Sequence, residues 1–195
     1  MDSTLIIILA AVAVALLWLI LNYNRLVRLR NRIEAAWSQI DVQLKRRYDL
    51  IPNLVETVKG YAAHESETLE AVVAARQKGV DARSIEDQGL AENMITQALG
   101  KLFSLQEAYP NLKADKSFLS LQEALPGTES RIAYARQFYN EQVLTYDNSI
   151  ESFPTNMIAG MFNFEAKDYF EMEEAAREPV RVDFGTAASA DDGGG

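Results

Sequence analysis

Few residue types in this chain are suited to catalysis or to metal binding. The sequence contains one histidine, His64, and no cysteine, so thiolate metal sites and disulfides are excluded. A dinuclear metal site in a helical bundle uses Glu-x-x-His on each of two helices, whereas the residue three positions before His64 is Tyr61. A nucleophile–base triad and a Gly-rich phosphate loop are also missing from the sequence. We therefore expect no catalytic residues, no metal ligands and no cofactor.

The charged motif that most resembles a contact site is Lys45-Arg46-Arg47, which has Asp41 and Asp49 one turn away on either side. One interpretation is that these cations bind an acidic partner, such as the acidic half of a neighbouring copy. The other is local ion pairing on a solvated helix face, which stabilises a helix by about 0.2–0.5 kcal/mol per pair. Both interpretations stay open.

A second candidate contact is an aromatic and Met-rich segment that follows a proline near the C-terminal end. Its apolar residues are Phe153, Met157, Ile158, Met161, Phe162, Phe164, Tyr169 and Phe170. Such a segment packs on its own bundle or forms a contact surface. We expect Met157 and Met161 to pack on the bundle, whereas the sequence supports both roles equally for Phe162, Phe164 and Phe170.

Helices must position these residues, because apolar side chains recur at steps of three and four along three long segments. The first stripe comprises Leu26, Leu29, Ile33, Trp37, Ile40, Leu44, Tyr48 and Ile51. Pro52 predicts a kink or a restart, after which the stripe continues from Leu54 to a helix end near Gly79.

The other two stripes begin at helix-capping residues. Ser84 and Asp87 have the spacing of a capping box, and the helix that follows should turn Leu90, Met94, Leu99, Leu102 and Phe103 inward. The third stripe starts near Asp115 or Ser117 and comprises Phe118, Leu121, Leu125, Thr128, Ile132, Ala135, Tyr139, Gln142, Tyr146 and Ile150. Pro126 should bend this helix or delay its start. Without an extended period-2 pattern, the fold class is all-α: an antiparallel bundle of long helices.

An uncharged apolar run precedes the bundle. Residues 4–21 make a helix of about 27 Å, close to the hydrocarbon thickness of a bilayer. We predict an uncleaved transmembrane helix followed by the bundle, with Trp18, Tyr23, Arg25, Arg28, Arg30 and Arg32 at the membrane interface. A cleaved signal peptide is disfavoured because Asp2 follows Met1 and no small-x-small site follows the run. The predicted division is an anchor at 1–21, a bundle at 22–172 and an acidic, Gly-rich tail at 173–195.

Charge is divided unevenly along the chain. Residues 1–50 carry a balance of +3 and residues 51–195 a balance of −12. The basic part lies where anionic lipid headgroups would be, and the acidic part would be repelled by nucleic acid. The expected partners are therefore membrane lipid and, because copies offset along one another would bring unlike charges together, a homo-oligomer. The sequence names no other protein partner.

Three stretches resemble a known family. YNRLVRLRNRIEAAWSQIDVQLKRRYDLIPNLVETVKGYAAHE, AYPNLKADKSFLSLQEAL and TESRIAYARQFYNEQVLTYDNSIESFPTNMIAGMFNFEAKDYF are similar to the LemA family of bacterial membrane proteins, from the anchor to about Phe184. The resemblance implies one N-terminal membrane helix, a helical bundle and a location in the bacterial inner membrane. It supplies no catalytic residues. A magnetosome-associated branch of that family looks linked to membrane shaping.

Two functions follow as hypotheses. The first is a non-enzymatic scaffold that self-associates through its bundle and anchor and organises or shapes a patch of membrane. The second is a membrane-tethered adaptor or sensor whose acidic bundle docks another protein.

The distribution of cations predicts the orientation of the anchor. Arginines follow the apolar run at Arg25, Arg28, Arg30 and Arg32, and no Lys or Arg precedes it, so the bundle should lie in the cytoplasm with the N-terminus outside. Protease added to intact spheroplasts should leave the bundle uncut until the cells are lysed. Digestion before lysis would show the reverse orientation.

Overall fold

The computed structural model describes residues 3–171, which form helices joined by short turns. The helices are α1 (Ser3–Lys59), α2 (Ser66–Asp81), α3 (Ile85–Ser104), α4 (Pro110–Lys113), α5 (Lys116–Glu151) and α6 (Thr155–Met161), with a 3₁₀ turn at Leu105–Glu107. No strand occurs within residues 3–171, which confirms the all-α prediction. The predicted acidic tail lies outside the described residues.

The bundle is organised around the antiparallel pair α1 and α5, which pack on each other extensively. At the end far from the apolar run, the Tyr61 hydroxyl donates to Asp115 Oδ2 at 2.9 Å. The α2–α3 hairpin packs on this half of the pair, and α6 packs against α1 and α5 at the other end. The core is therefore a long strip between α1 and α5 that different elements cover along its length.

α1 carries the apolar run and the first core stripe in one uninterrupted helix. Side chains of the run are exposed, and burial begins at Leu26. By length and composition α1 is apolar enough to cross a membrane. Burial therefore changes along α1 without a break in the helix, and the division after residue 21 stays a prediction.

The predicted restart at Pro52 is wrong, since α1 continues through the proline to Lys59. Proline has no N–H, so the carbonyl of Tyr48, four residues earlier, loses its helical donor. Arg76 Nε of α2 donates to that carbonyl oxygen at 2.8 Å. The neighbouring Ile51 and Leu54 are fully buried, so tertiary contacts hold the helix together where its own hydrogen bonding fails.

α2 ends at Asp81, close to the helix end predicted near Gly79, and Gly79 also has a packing role. A Cβ at this position would lie 2.5 Å from the hydroxyl oxygen of Tyr48. The glycine thus allows α2 to approach α1 closely at the Tyr48 ring.

The predicted inward face of α3 is wrong in part. Leu90 and Met94 are exposed, and the buried face instead comprises Gln88, Gly89, Ala91, Glu92, Ile95, Ala98, Leu99 and Leu102. The predicted cap is confirmed, since the backbone N–H of Asp87 donates to Ser84 Oγ at 3.0 Å. A prediction from the apolar residues alone misplaced the buried face of α3, because the polar side chains Gln88 and Glu92 occupy two positions on it.

The α5 predictions are largely confirmed. Asp115 caps the helix by accepting from the Phe118 N–H at 2.9 Å, and the helix passes through Pro126 without a break. In the C-terminal half of α5, Gln142 of the predicted stripe is only partly buried, whereas its neighbour Val143 is fully buried.

After α6, residues 163–171 form an extended strap that returns along α5. The hydroxyls of Tyr146 and Tyr139 donate to the carbonyls of Glu165 and Asp168 at 3.0 and 2.9 Å. Asn140 then pairs with the backbone of Phe170 through both its amide oxygen and its amide nitrogen. A Cβ at Gly89 would lie 2.2 Å from the carbonyl oxygen of Glu171, so the end of the strap requires glycine on α3.

Two aromatic residues of the core generate a stability prediction. Tyr139 is buried and its ring contacts Trp37 edge-on at 5.4 Å. Tyr139→Ala and Trp37→Ala should each lower the free energy of unfolding by roughly 2–5 kcal/mol, as large-to-small core changes do. Tyr139→Phe, which loses only the hydrogen bond to the strap, should cost about 1 kcal/mol. Thermal denaturation of the full-length protein in mild detergent measures this, and unchanged midpoints in both alanine variants would contradict the packing.

Candidate functional site

The predicted membrane-interface residues lie where α1 leaves the apolar run. Trp18 and Tyr23 are exposed to differing degrees on α1, and Arg25, Arg28, Arg30 and Arg32 are all exposed. Their location at a membrane surface stays a prediction.

The structure brings Tyr23 and Arg30 together with the distant aromatic segment. The Tyr23 ring lies 4.8 Å from that of Phe162 and 5.7 Å from that of Phe164, edge-on in both cases. The Arg30 guanidinium lies 5.7 Å from the Phe164 ring centroid, within the range of a cation–π contact. The local sequence does not predict that Tyr23 and Arg30 contact the aromatic segment, because the contact depends on α5 packing antiparallel to α1.

Two expectations about the aromatic and Met-rich segment need correction. Met157 and Met161 were expected to pack on the bundle, but both are exposed because Ile158 and Ala159 form the buried face of α6. Phe170 was a candidate contact, but it is fully buried, with its ring 5.4 Å from that of Trp37. Phe164 is partly buried, and Phe162 keeps an exposed surface.

The basic cluster Lys45-Arg46-Arg47 also contains both exposed and buried residues. Lys45 and Arg46 are exposed on α1, whereas Arg47 points into the bundle. Arg47 is 1% exposed and its main partner, Glu92 of α3, is 0% exposed. The expectation that Arg47 offers a charge to an external partner is therefore wrong, because this charge is neutralised inside the fold.

Arg47 belongs to a buried polar network that joins α1 to α3. Its Nη1 lies 2.9 Å from Glu92 Oε2, and its Nη2 donates to Thr96 Oγ1 at 2.9 Å. The Tyr48 hydroxyl donates to the other oxygen of Glu92, and Gln88 Nε2 donates to the Tyr48 hydroxyl at 2.6 Å. Both oxygens of the buried carboxylate are thus satisfied, as a charge in a poorly hydrated interior requires.

The surroundings also shift the protonation equilibria of this network. Burial raises the pKa of Tyr48, and the adjacent Glu92 charge raises it further, so the phenol stays protonated and donates. Burial also raises the pKa of Glu92, an effect opposed by the Tyr48 hydrogen bond and the Arg47 charge. Because the side chains of Arg47 and Glu92 are closed off from solvent, the network offers no group to a substrate and acts in the fold.

The sequence did contain a signal for this network. Arg47 lies three residues after Leu44 and four before Ile51, so it falls on the core stripe of α1. Glu92 falls on the same face of α3 as Ile95 and Gln88. Opposite charges on two inward faces predict a buried pair, but only if the apolar stripe is allowed to include charged residues.

The face of α1 and α5 between Val42 and Tyr134 forms an open groove. It is lined by Ser38, Gln39, Val42, Gln43, Ser130, Arg131, Tyr134 and Ala135. Lys45 and Arg46 follow Val42 by three and four residues, so they lie beside it on the surface of α1. No cluster of possible metal ligands occurs among residues 3–171.

The fold and its surfaces together define a class of protein. It is an α-helical bundle whose first helix continues from a candidate membrane helix. Its charged side chains form structural contacts or lie exposed on helix surfaces. The chain belongs to the LemA family, whose sequence pattern it matches over residues 36–184. This confirms the resemblance seen in the sequence.

Individual relatives are more distant. Magnetosome protein MamQ 2 of Paramagnetospirillum magneticum is 27% identical over 188 residues, covering 83% of this chain and 69% of the relative. Magnetosome protein MamQ of Magnetospirillum gryphiswaldense is 26% identical over 188 residues, with the same 83% and 69% coverage. Protein LemA of Metamycoplasma hominis is 28% identical over 159 residues, covering 80% and 72%.

The buried pair generates a double-mutant prediction. Arg47→Met or Glu92→Leu alone leaves an unpaired buried charge and should lower the free energy of unfolding by roughly 3–5 kcal/mol, whereas the double variant should recover most of that loss. Unfolding followed by circular dichroism in detergent measures these values. Lys45→Met, on the exposed neighbour, is the control and should change stability by no more than about 0.5 kcal/mol. Additive losses in the double variant would contradict the pairing.

Proposed function

We propose that this protein is a non-enzymatic membrane scaffold that self-associates through its bundle and organises or shapes a patch of membrane. The observation that carries the proposal is the continuity of α1 from the candidate span into the core. Because α1 has no turn between the candidate span and the core, contacts between bundles of neighbouring copies would set the position and the tilt of their spans.

The groove between α1 and α5 is the surface that best supports self-association. Val42 is 62% exposed and Tyr134 is 75% exposed. The rest of the chain therefore leaves both side chains of this groove largely uncovered. Tyrosine and arginine are enriched in protein interfaces. Lys45 and Arg46 beside the groove would face a second copy whose residues 51–195 carry a balance of −12, so the charges favour an offset arrangement.

The family supports a role in membrane organisation. Relatives of this chain are named magnetosome proteins, and the resemblance noted in the sequence links that branch to membrane shaping. The proposed location is the bacterial inner membrane, with the bundle in the cytoplasm.

The size of the full-length protein in mild detergent tests the proposal. Mass photometry should show a homo-oligomer larger than a dimer, and Val42→Asp or Tyr134→Asp should convert it to smaller species because a carboxylate in the groove opposes burial. Val73→Asp is the matched control: it changes the same residue type on α2, where the side chain is 49% exposed, and should leave the size unchanged.

The other outcomes identify what replaces the proposal. A monomeric wild type would reject the scaffold and favour the adaptor function. An oligomer that resists both groove variants but dissociates with Phe162→Asp would move the contact to the membrane-side aromatic residues. An oligomer that resists all of these variants would move it to the anchor.

A further inference from the structure

α6 and Phe153, two residues before it, present an unusually apolar outer surface. Phe153 is 80% exposed, Met157 65% and Met161 66%. The stretch from residue 153 to residue 164 contains no charged side chain. Ile158 and Ala159 are already buried against the bundle, so the exposed face is additional to what α6 needs for its own packing. Apolar patches of this kind mark a contact with another apolar phase or partner.

The position of α6 along α1 indicates what covers this surface. Phe162, directly after α6, contacts the ring of Tyr23 at 4.8 Å, and Tyr23 lies two residues beyond the apolar run of residues 4–21. Two residues of helix correspond to about 3 Å. If α1 crosses a bilayer with this run in the hydrocarbon, α6 lies at the level of the lipid headgroups.

The charges around α6 match the same environment. Arg25, Arg28, Arg30 and Arg32 are exposed on α1 within the next three turns, where they can bind the phosphates of anionic lipids. The acidic residues that flank this stretch in the sequence, Glu151 and Glu165, lie outside the uncharged residues 153–164. An uncharged apolar segment beside a group of cations is the pattern of peptides that lie in a membrane interface.

We propose that α6 and the preceding Phe153 form an interfacial lipid-binding segment, in which Phe153, Met157 and Met161 enter the headgroup–acyl boundary of the membrane that α1 spans. The protein then contacts the bilayer at two places: along the span of α1, and through the apolar surface of α6, which packs on α1 and α5. Two attachments fix the tilt of the rigid bundle and add volume to one leaflet. This inference rests on the candidate span and does not require self-association.

The absence of cysteine from the chain makes a direct test possible, since any introduced cysteine is unique. Full-length Met157→Cys and Met161→Cys carry a nitroxide label and are reconstituted in nanodiscs of phosphatidylcholine and phosphatidylglycerol. Collision of the label with oxygen and with a water-soluble nickel chelate is measured by electron paramagnetic resonance. Leu17→Cys in the apolar run and Val73→Cys on α2, outside the proposed self-association groove, are the references, both at exposed positions.

The expected result is a loss of most nickel accessibility at positions 157 and 161 relative to position 73, with oxygen accessibility retained as at position 17. Nickel accessibility equal to that at position 73 would overturn the inference, because α6 would then face water. Low accessibility to both reagents with spin–spin broadening would also overturn it, because a second copy would cover the surface. Lipid-exposed labels in a protein that mass photometry finds monomeric would support this inference and reject only the self-association.

Discussion

The structure depends on one helix that joins a candidate membrane span to a bundle core. α1 passes from an exposed apolar run into the bundle core without a break, and α2, α5 and α6 pack on it. A rod of this kind gains stability from tertiary packing more than from its own hydrogen bonds. The antiparallel α5 matches its length beyond the apolar run, and the shorter elements divide the remaining surface between them.

The middle of α1 shows how closely the bundle and the rod depend on each other. Pro52 removes the donor for the Tyr48 carbonyl, and Arg76 of α2 supplies another. Arg47, the residue before Tyr48, is buried and forms an ion pair with the carboxylate of Glu92 on α3. The α2–α3 hairpin therefore satisfies a backbone acceptor and a buried charge on α1 within about one turn. Removal of either partner would leave a buried polar group unsatisfied.

The half of the bundle next to the apolar run is built differently. There the strap lies along α5 in place of a helix pair, and polar side chains of α5 hold its backbone: Tyr146, Asp147, Asn140 and Tyr139. Burial raises the pKa of Tyr139 to about 12, so its hydroxyl remains a donor to the strap. At the start of the strap, the Phe162 and Phe164 rings lie against Tyr23, next to the apolar run.

Sequence alone determined the elements with local causes. Residues 4–21 are apolar without interruption, the three- and four-residue spacing sets helices, and the Ser84 and Asp115 caps place helix starts correctly. Family membership also followed from the sequence. Tertiary structure decided which face of each short helix is buried, because α3 buries Gln88 and Glu92 while Leu90 remains exposed. It also decided that Pro52 does not end α1, that Arg47 is internal while Lys45 and Arg46 are not, and that α6 meets Tyr23. Each of these outcomes depends on a partner far away in the sequence, and neither the periodicity nor the propensity of a segment carries information about such a partner.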